Sequence, residues 1–323
     1  PNEVWQFMEV RGDLLLASSQ GLFAINGEEA ARIPGTIFSA YCLGTSARFP
    51  NYLFVGQMGG IEVFRQIAPG RWGSLGRLSG THENVRSLAS DEHGNFWCAI
   101  DGKWLLYLRF TTDTPTNPMV MRLAATAGLP DLTSMRPAPF RGRVYVSTSM
   151  GLYSSPLPAE TEPSPRIHFR PDDRLGRVPG EDTGPVLGIL FGRHGEAYLN
   201  TRGGIVLAEP QADGRIRFDP RPFRGLPATD ESMSYDPRGL LWIPAKSLYR
   251  VDLRTRRSDD RPFSVLIRQV VSGGKRVVFG GTHARPGAML PGRPTVFTSH
   301  TVDGQQLELP YRENAVTFEY AAT

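Results

Sequence analysis

Only two cysteines, Cys42 and Cys98, occur in 323 residues, so no disulfide framework carries this fold. Each falls in an expected strand of a different repeat and reads as a buried free thiol, which leaves the redox compartment undetermined. Lysine is nearly as scarce. Of 36 basic residues only Lys103, Lys246 and Lys275 are lysines, and the arginines are scattered. The densest basic cluster, Arg254-Thr255-Arg256-Arg257, is soon followed by Asp259-Asp260, and the net charge is only +4. That pattern argues against a nucleic-acid surface. No apolar run is long enough to span a membrane and no signal peptide is evident. The chain starts at Pro1 without a methionine and reads as an excised piece of something larger, so missing targeting signals say little about location.

Chemistry-bearing motifs are missing as well. His82, His93, His168, His194, His283 and His300 lack the paired spacing of a metal site. There is no G-x-S-x-G elbow and no phosphate-cradling G-x-x-x-x-G-K-[ST] loop. The pairs Glu28-Glu29, Asp172-Asp173 and Asp259-Asp260 are sequence neighbours that read as solvated loops rather than acid–base dyads. No cofactor is expected. Long helical patterns are absent too, whereas 35 glycines and 27 prolines supply many turns. The chain is therefore expected to be all-β.

What is present is a repeat. From Asn84 to Arg109 the sequence reads as three strands, Val85–Ser90, Phe96–Ile100 and Trp104–Leu108, separated by Asp91-Glu92-His93-Gly94-Asn95 and Asp101-Gly102-Lys103. Weaker copies recur. The first has strands Val4–Val10, Leu14–Ser18 and Gly21–Ile25. The second runs from Ile37 to Phe64 with a looser first turn near Ser46 to Asn51. The fourth runs from about Leu132 to Tyr153, the fifth from Val186 to Leu207 and the sixth from Glu231 to Val251. His93 and His194 occupy matching first-turn positions, which suits a hairpin role. Trp97 and Trp242 are expected to face a core. A period of roughly 40 to 50 residues fits four-stranded propeller blades, with Arg166–Phe169 and Arg215–Phe218 as candidate outer strands. The Pro-rich stretches Thr111–Pro118 and Pro156–Pro165 read as surface loops.

Asn84-Val85-Arg86-Ser87-Leu88, then Asp91 and Gly94-Asn95-Phe96-Trp97, together with Gly151-Leu152-Tyr153, resemble the two-component regulator propeller repeat. The third and sixth copies match best. Cys98-Ala99 and Trp242-Ile243-Pro244 depart from the family's Ile-Gly-Thr ending. Beyond Leu253, the segments Phe263–Val270, Leu307–Pro310 and Glu313–Ala322 resemble the opening strands of the Tyr-rich, immunoglobulin-like β-sandwich that follows such propellers in bacterial sensors. The expected organisation is thus a β-propeller over residues 1–260 and a truncated β-sandwich over 261–323. The propeller closes with the six visible blades, or with seven if one is degenerate or lies outside this sequence.

The resemblance implies the extracytoplasmic, periplasmic ligand-sensing region of a membrane receptor. A histidine kinase or diguanylate cyclase would lie beyond the chain, which itself would not be an enzyme. It further implies a homodimer through the sandwich, contact with the membrane only through segments absent here, and a carbohydrate or other polar small ligand. Strand order puts two sets of loops on one face around the channel. The hairpins between second and third strands hold Gln20, Gln57, Asp101, Lys103, Ser149, Arg202 and Lys246. The loops before first strands hold Glu83, Asn84, Asp131, Thr183 and Glu231. From these, Asn84, Asp101, Lys103, Asp131, Arg202, Glu231 and Lys246 are the candidate ligand-binding residues. The competing readings are a streptogramin-lyase-like enzyme using His82, a calcium lactonase-like enzyme using Glu83, Asp131 and Glu231, and a protein-binding scaffold.

Overall fold

Short turns return each strand antiparallel to the one before it, so sequence neighbours become sheet neighbours. The computed structural model describes residues 3–36, 39–100, 102–130, 134–179, 184–229, 233–235, 239–253, 265–273, 276–280 and 311–322. Strands β1–β4 (Val4–Val10, Asp13–Ser18, Gly21–Asn26, Glu29–Arg32) form the first blade in that order. The second is β5–β8 (Ala40–Ser46, Phe49–Gln57, Gly60–Ala68, Arg71–Arg77) and the third β9–β12 (Val85–Ser90, Phe96–Ile100, Leu105–Arg109, Met119–Leu123). The fourth is β13–β16 (Arg136–Phe140, Arg143–Thr148, Gly151–Pro156, Arg170–Pro171). The fifth is β17–β20 (Val186–Phe191, Ala197–Thr201, Gly204–Pro210, Ile216–Asp219). The sixth shows three strands among the described residues, β21–β23 (Ser234–Tyr235, Leu240–Pro244, Leu248–Asp252). The result is a six-bladed β-propeller.

The chain divides into two compact units, Pro1–Arg256 and Arg257–Thr323. The second holds an antiparallel sheet in which β24 (Val265–Ser272) lies between β25 (Arg276–Gly280) and β26 (Val316–Ala322). Phe318 and Tyr320 on β26 are exposed. The expected strand Leu307–Pro310 lies outside the described residues.

Within the propeller the first strands touch in series, β1 with β5, β5 with β9, β9 with β13 and β13 with β17, forming the inner wall. Apolar clusters join consecutive blades. On β10, Phe96, Cys98 and Ile100 pack toward the second blade with Phe54 and Ile61, while Trp97 and Ala99 pack toward the fourth with Val144, Val146 and Phe169. The period of two in strands thus serves two interfaces at once.

Four inner strands carry a bulge at their second residue. The register shifts between Val4 and Gln6, between Ala40 and Cys42, between Val85 and Ser87, and between Val186 and Gly188. The extra residues are Trp5, Tyr41, Arg86 and Leu187. A bulge bends its strand and turns the extra side chain away from the regular alternation.

Polar side chains close turns and tie loops. Asp91 accepts the backbone N–H groups of His93 (3.1 Å) and Asn95 (2.9 Å), and its second oxygen accepts the indole N–H of buried Trp97 (3.1 Å). Burial pushes the Asp91 carboxyl above its ordinary range, and these N–H donors oppose the shift. Asp13 uses the same chemistry between blades, accepting from Gln66 Nε2 (2.8 Å), Gly70 N (2.9 Å) and Trp72 Nε1 (2.9 Å) on the second blade. Thr36 and Thr81 accept the N–H of Leu22 and Ile61, just after Gly21 and Gly60. Those two glycines have φ of 110° and 135°, and a Cβ on either would fall within 2.6 Å of the threonine. Glycine is required there for both reasons.

Two expectations need correction. Arg166–Phe169 is not an outer strand. Ile167 and Phe169 are buried between the third and fourth blades, with Phe169 edge-on to Trp97 at 6.3 Å, and the outer strand is the short pair Arg170–Pro171. The looser first turn expected in the second blade is present: Ser46 pairs with Phe49 but Gly44 with Phe54, which leaves residues 50–53 opposite Thr45 alone. β6 already starts at Phe49, whose ring is fully buried against Phe54 and Phe110. Trp242 is half-buried because Leu241 and Ile243 take the face toward the fifth blade and leave it on the other. The sixth copy's Asp236-Pro237-Arg238 turn lies outside the described residues.

Asp91→Ala should lower unfolding stability by about 3 kcal/mol, read from denaturant midpoints, because three buried donors lose their acceptor. Trp97→Phe should cost less, and its deficit should depend on pH. The lost indole donor stabilised the carboxylate, so the deficit is smallest when Asp91 is protonated and grows as pH rises through its raised range.

Candidate functional site

The face that carries the second-to-third-strand hairpins is stitched to the loops before the first strands. Ser39 donates from its hydroxyl to the carbonyl of Ser19 (3.0 Å) and accepts at its own carbonyl from Met58 N (3.1 Å). Asn84 Oδ1 accepts the N–H of Gly59 (3.2 Å), so this candidate ties the loop before β9 to the hairpin of the second blade. Lys103 is exposed at the next hairpin with its ammonium 5.7 Å from the ring centre of Trp104. Arg202 is exposed on the fifth blade, close to Gly184 of the loop before β17. Lys246 is exposed at the β22–β23 hairpin. Asp101, Asp131 and Glu231 lie outside the described residues, as does Thr183. The structure therefore puts Asn84, Lys103, Arg202 and Lys246 on one rim, spread over the third, fifth and sixth blades.

Gln57 does not sit at a loop tip. It ends β6, is 2% exposed, and donates from Nε2 to buried Glu62 (3.3 Å), whose other oxygen takes the Ser74 hydroxyl. Its Oε1 is buried without a hydrogen-bond partner, as is Oδ1 of Asn200 on β18. In three other blades the residue ending the second strand is hydroxylic. Ser18, Thr148 and Thr201 donate to the carbonyls of Gly21, Gly151 and Gly204 at 2.8–2.9 Å. The spacing [ST]-x-x-G was visible in the sequence and marks these hairpins.

Glu83, one of the enzyme candidates, is engaged structurally. Burial opposes ionisation of Glu83, but the His82 backbone N–H and the Arg122 guanidinium, 3.2 Å away, hold its carboxyl below the ordinary range. His93 and His194 lend their backbone N–H groups to Asp91 and Glu196 in the first turns, as their matching positions suggested. Burial pushes the Cys42 thiol up to about 12 and raises that of Cys98 as well, which keeps both protonated.

Sequence reading missed the inner wall beneath this rim. The rings of Trp5 and Tyr41 lie 4.9 Å apart, and the Arg86 guanidinium stands 4.0 Å over the Tyr41 ring. The three are the bulge residues of consecutive blades. Their shared place, the second residue of a first strand, shows only in the pairing registers.

No family model and no curated protein matches the chain. Solved structures do match. The extracellular domain of BT4673 from B. thetaiotaomicron was solved once as that of a one-component system and once as that of a hybrid two-component system. These structures superpose on 80% of this chain with TM-scores of 0.54 and 0.55 and 19% identity. The likeness is one of fold. This chain spans only about a third (32%) of that domain's length. A catalytically inactive virginiamycin B lyase from Staphylococcus aureus matches at a TM-score of 0.47 and 12% identity, over 79% of this chain and 85% of its own. That level of similarity carries no argument about activity. Among the described residues no helix is long and apolar enough to cross a membrane.

Asn84→Ala should lower stability by about 1 kcal/mol through the orphaned Gly59 N–H, measured by thermal or denaturant unfolding. Asn84→Asp, which keeps an acceptor, should recover most of the loss.

Proposed function

We propose that this chain is the extracytoplasmic ligand-sensing region of a bacterial signal-transduction receptor, with no catalysis of its own. The observation that carries the reading is the channel face. Charged and amide side chains from several blades line one rim there, whose loops are held by ties such as Gly59 N–H to Asn84 Oδ1 and Met58 N–H to the Ser39 carbonyl. The fold shared with an extracellular sensor domain supports it. In this reading the output is a histidine kinase or a diguanylate cyclase on the far side of a membrane, placing the propeller in the periplasm. Residues 261–323 begin an immunoglobulin-like sandwich through which two copies pair and relay the signal. A ligand drives such a switch only by its difference in affinity for the two paired states. A two-fold contact between sandwiches suits that relay, because both copies see the same change. The ligand is a carbohydrate or another polar small molecule.

The test is a thermal-shift screen of the purified chain against oligosaccharides, with calcium and EDTA controls. Stabilisation by one glycan class is expected, and beyond saturation each tenfold rise in ligand should add about 1.4 kcal/mol. Stabilisation by calcium alone, reversed by EDTA, would replace this reading with a lactonase-like enzyme. A silent panel would favour a protein-binding scaffold.

A further inference from the structure

The first turn of the fifth blade lacks the aspartate that closes the first turn of the third. The third blade reads Asp91-Glu92-His93-Gly94-Asn95-Phe96-Trp97, and the fifth reads Gly192-Arg193-His194-Gly195-Glu196-Ala197-Tyr198. The backbones match. Asp91 N bonds to Asn95 O at 2.9 Å, and Gly192 N bonds to Glu196 O at 2.8 Å. Gly94 N returns to Asp91 O at 3.0 Å, and Gly195 N to Gly192 O at 3.4 Å. Those two inner glycines have φ of 80° and 95°. The flanking strands share a register too, Ser90 with Phe96 and Phe191 with Ala197. Asp91 and Gly192 thus hold one structural position, and only the third blade has a side chain on it.

The missing carboxylate comes from four residues further on. Glu196 Oε2 accepts the backbone N–H of His194 at 2.9 Å, as Asp91 Oδ1 accepts that of His93. Glu196 Oε1 accepts the hydroxyl of buried Tyr198 at 3.3 Å, as Asp91 Oδ2 accepts the indole of buried Trp97. Burial and then the Glu196 carboxylate push the Tyr198 phenol up, which keeps it a donor. Asp91 also takes Asn95 N at 2.9 Å, so the match covers two of its three donors. Gly192 is buried and its φ lies outside the left-handed region, so conformation does not demand glycine there. Space does. A Cβ at that position would run into the Glu196 carboxylate.

We infer that Gly192 and Glu196 are a compensated exchange. The carboxylate that closes the blade's first turn has moved from the turn's first residue to its fifth, and glycine at the first makes room for it. The turn needs one carboxylate and tolerates either source. None would leave the histidine N–H and the aromatic donor without an acceptor, and two would set like charges on one spot. The exchange holds whether or not the sensor reading does. It also withdraws Glu196 from the acidic side chains free to meet a ligand or partner.

The experiment is a pair of double-mutant cycles on the full chain, read as urea unfolding midpoints. The first uses Gly192→Asp, Glu196→Asn and the two together, which writes the third blade's turn into the fifth. Each single substitution should lower the midpoint, and the double should recover more than half of the larger single loss. The second uses Gly192→Ala, Glu196→Ala and the two together, and it decides the matter if Gly192→Asp does not fold. Gly192→Ala should lower the midpoint in the wild type and leave it unchanged in the Glu196→Ala background, where the carboxylate no longer fills the space. A double variant no more stable than its worse parent would overturn the exchange in the first cycle. In the second, a Gly192→Ala loss of the same size with and without Glu196 would overturn it.

Discussion

Every blade depends on burying two apolar faces at once. A three- or four-stranded meander with Phe96, Cys98 and Ile100 on one side and Trp97 and Ala99 on the other cannot be stable alone in water, because either face would be left wet. Stacking blades around an axis solves this with short local connections, and each fully buried aliphatic or aromatic side chain contributes about 1.5–3 kcal/mol. The same demand explains why Ile167 and Phe169 leave the sheet and fill the space beside Trp97. A residue that looks like a strand in sequence is drawn into the interface that needs its volume.

Polar groups then fix how the blades register. Asp91 closes its own turn and holds Trp97, while Asp13 reaches across to the second blade's outer hairpin and holds Trp72. Ser46 bonds to the Gly94 carbonyl, and Glu92 accepts Gly142 N, so the far face is stitched from blade to blade. These bonds form where apolar packing alone would let neighbouring sheets slide. Their cost is low because each carboxylate or hydroxyl satisfies donors that burial would otherwise leave without water.

The channel face differs in kind. Its ties join side chains and backbone of neighbouring loops, and Lys103, Arg202 and Lys246 stay in solvent at the hairpin tips. A rigid scaffold presenting varied side chains at one end is the usual way a propeller hosts recognition, and the fold itself says nothing about which ligand is bound.

The sequence by itself determined the blade plan. Alternation of apolar residues and Gly-marked turns located β1, β9 and β10 end to end, and the start of β17. That information is local: a strand's period and a turn's φ are set by residues next to each other. Tertiary structure decided the rest. Trp97 is fully buried because the fourth blade covers the face it points to, whereas Trp242, at the matching position, is half-buried while Leu241 and Ile243 beside it take the face toward the fifth blade. Gln57 looked like a loop tip and lies buried beside Glu62, because β6 runs on to its end and the third strand brings the carboxylate to it. The Trp5–Tyr41–Arg86 row was illegible for a related reason. A bulge is a mismatch between two strands, so no single strand announces it, and contact between Trp5, Tyr41 and Arg86 exists only once three blades stand side by side.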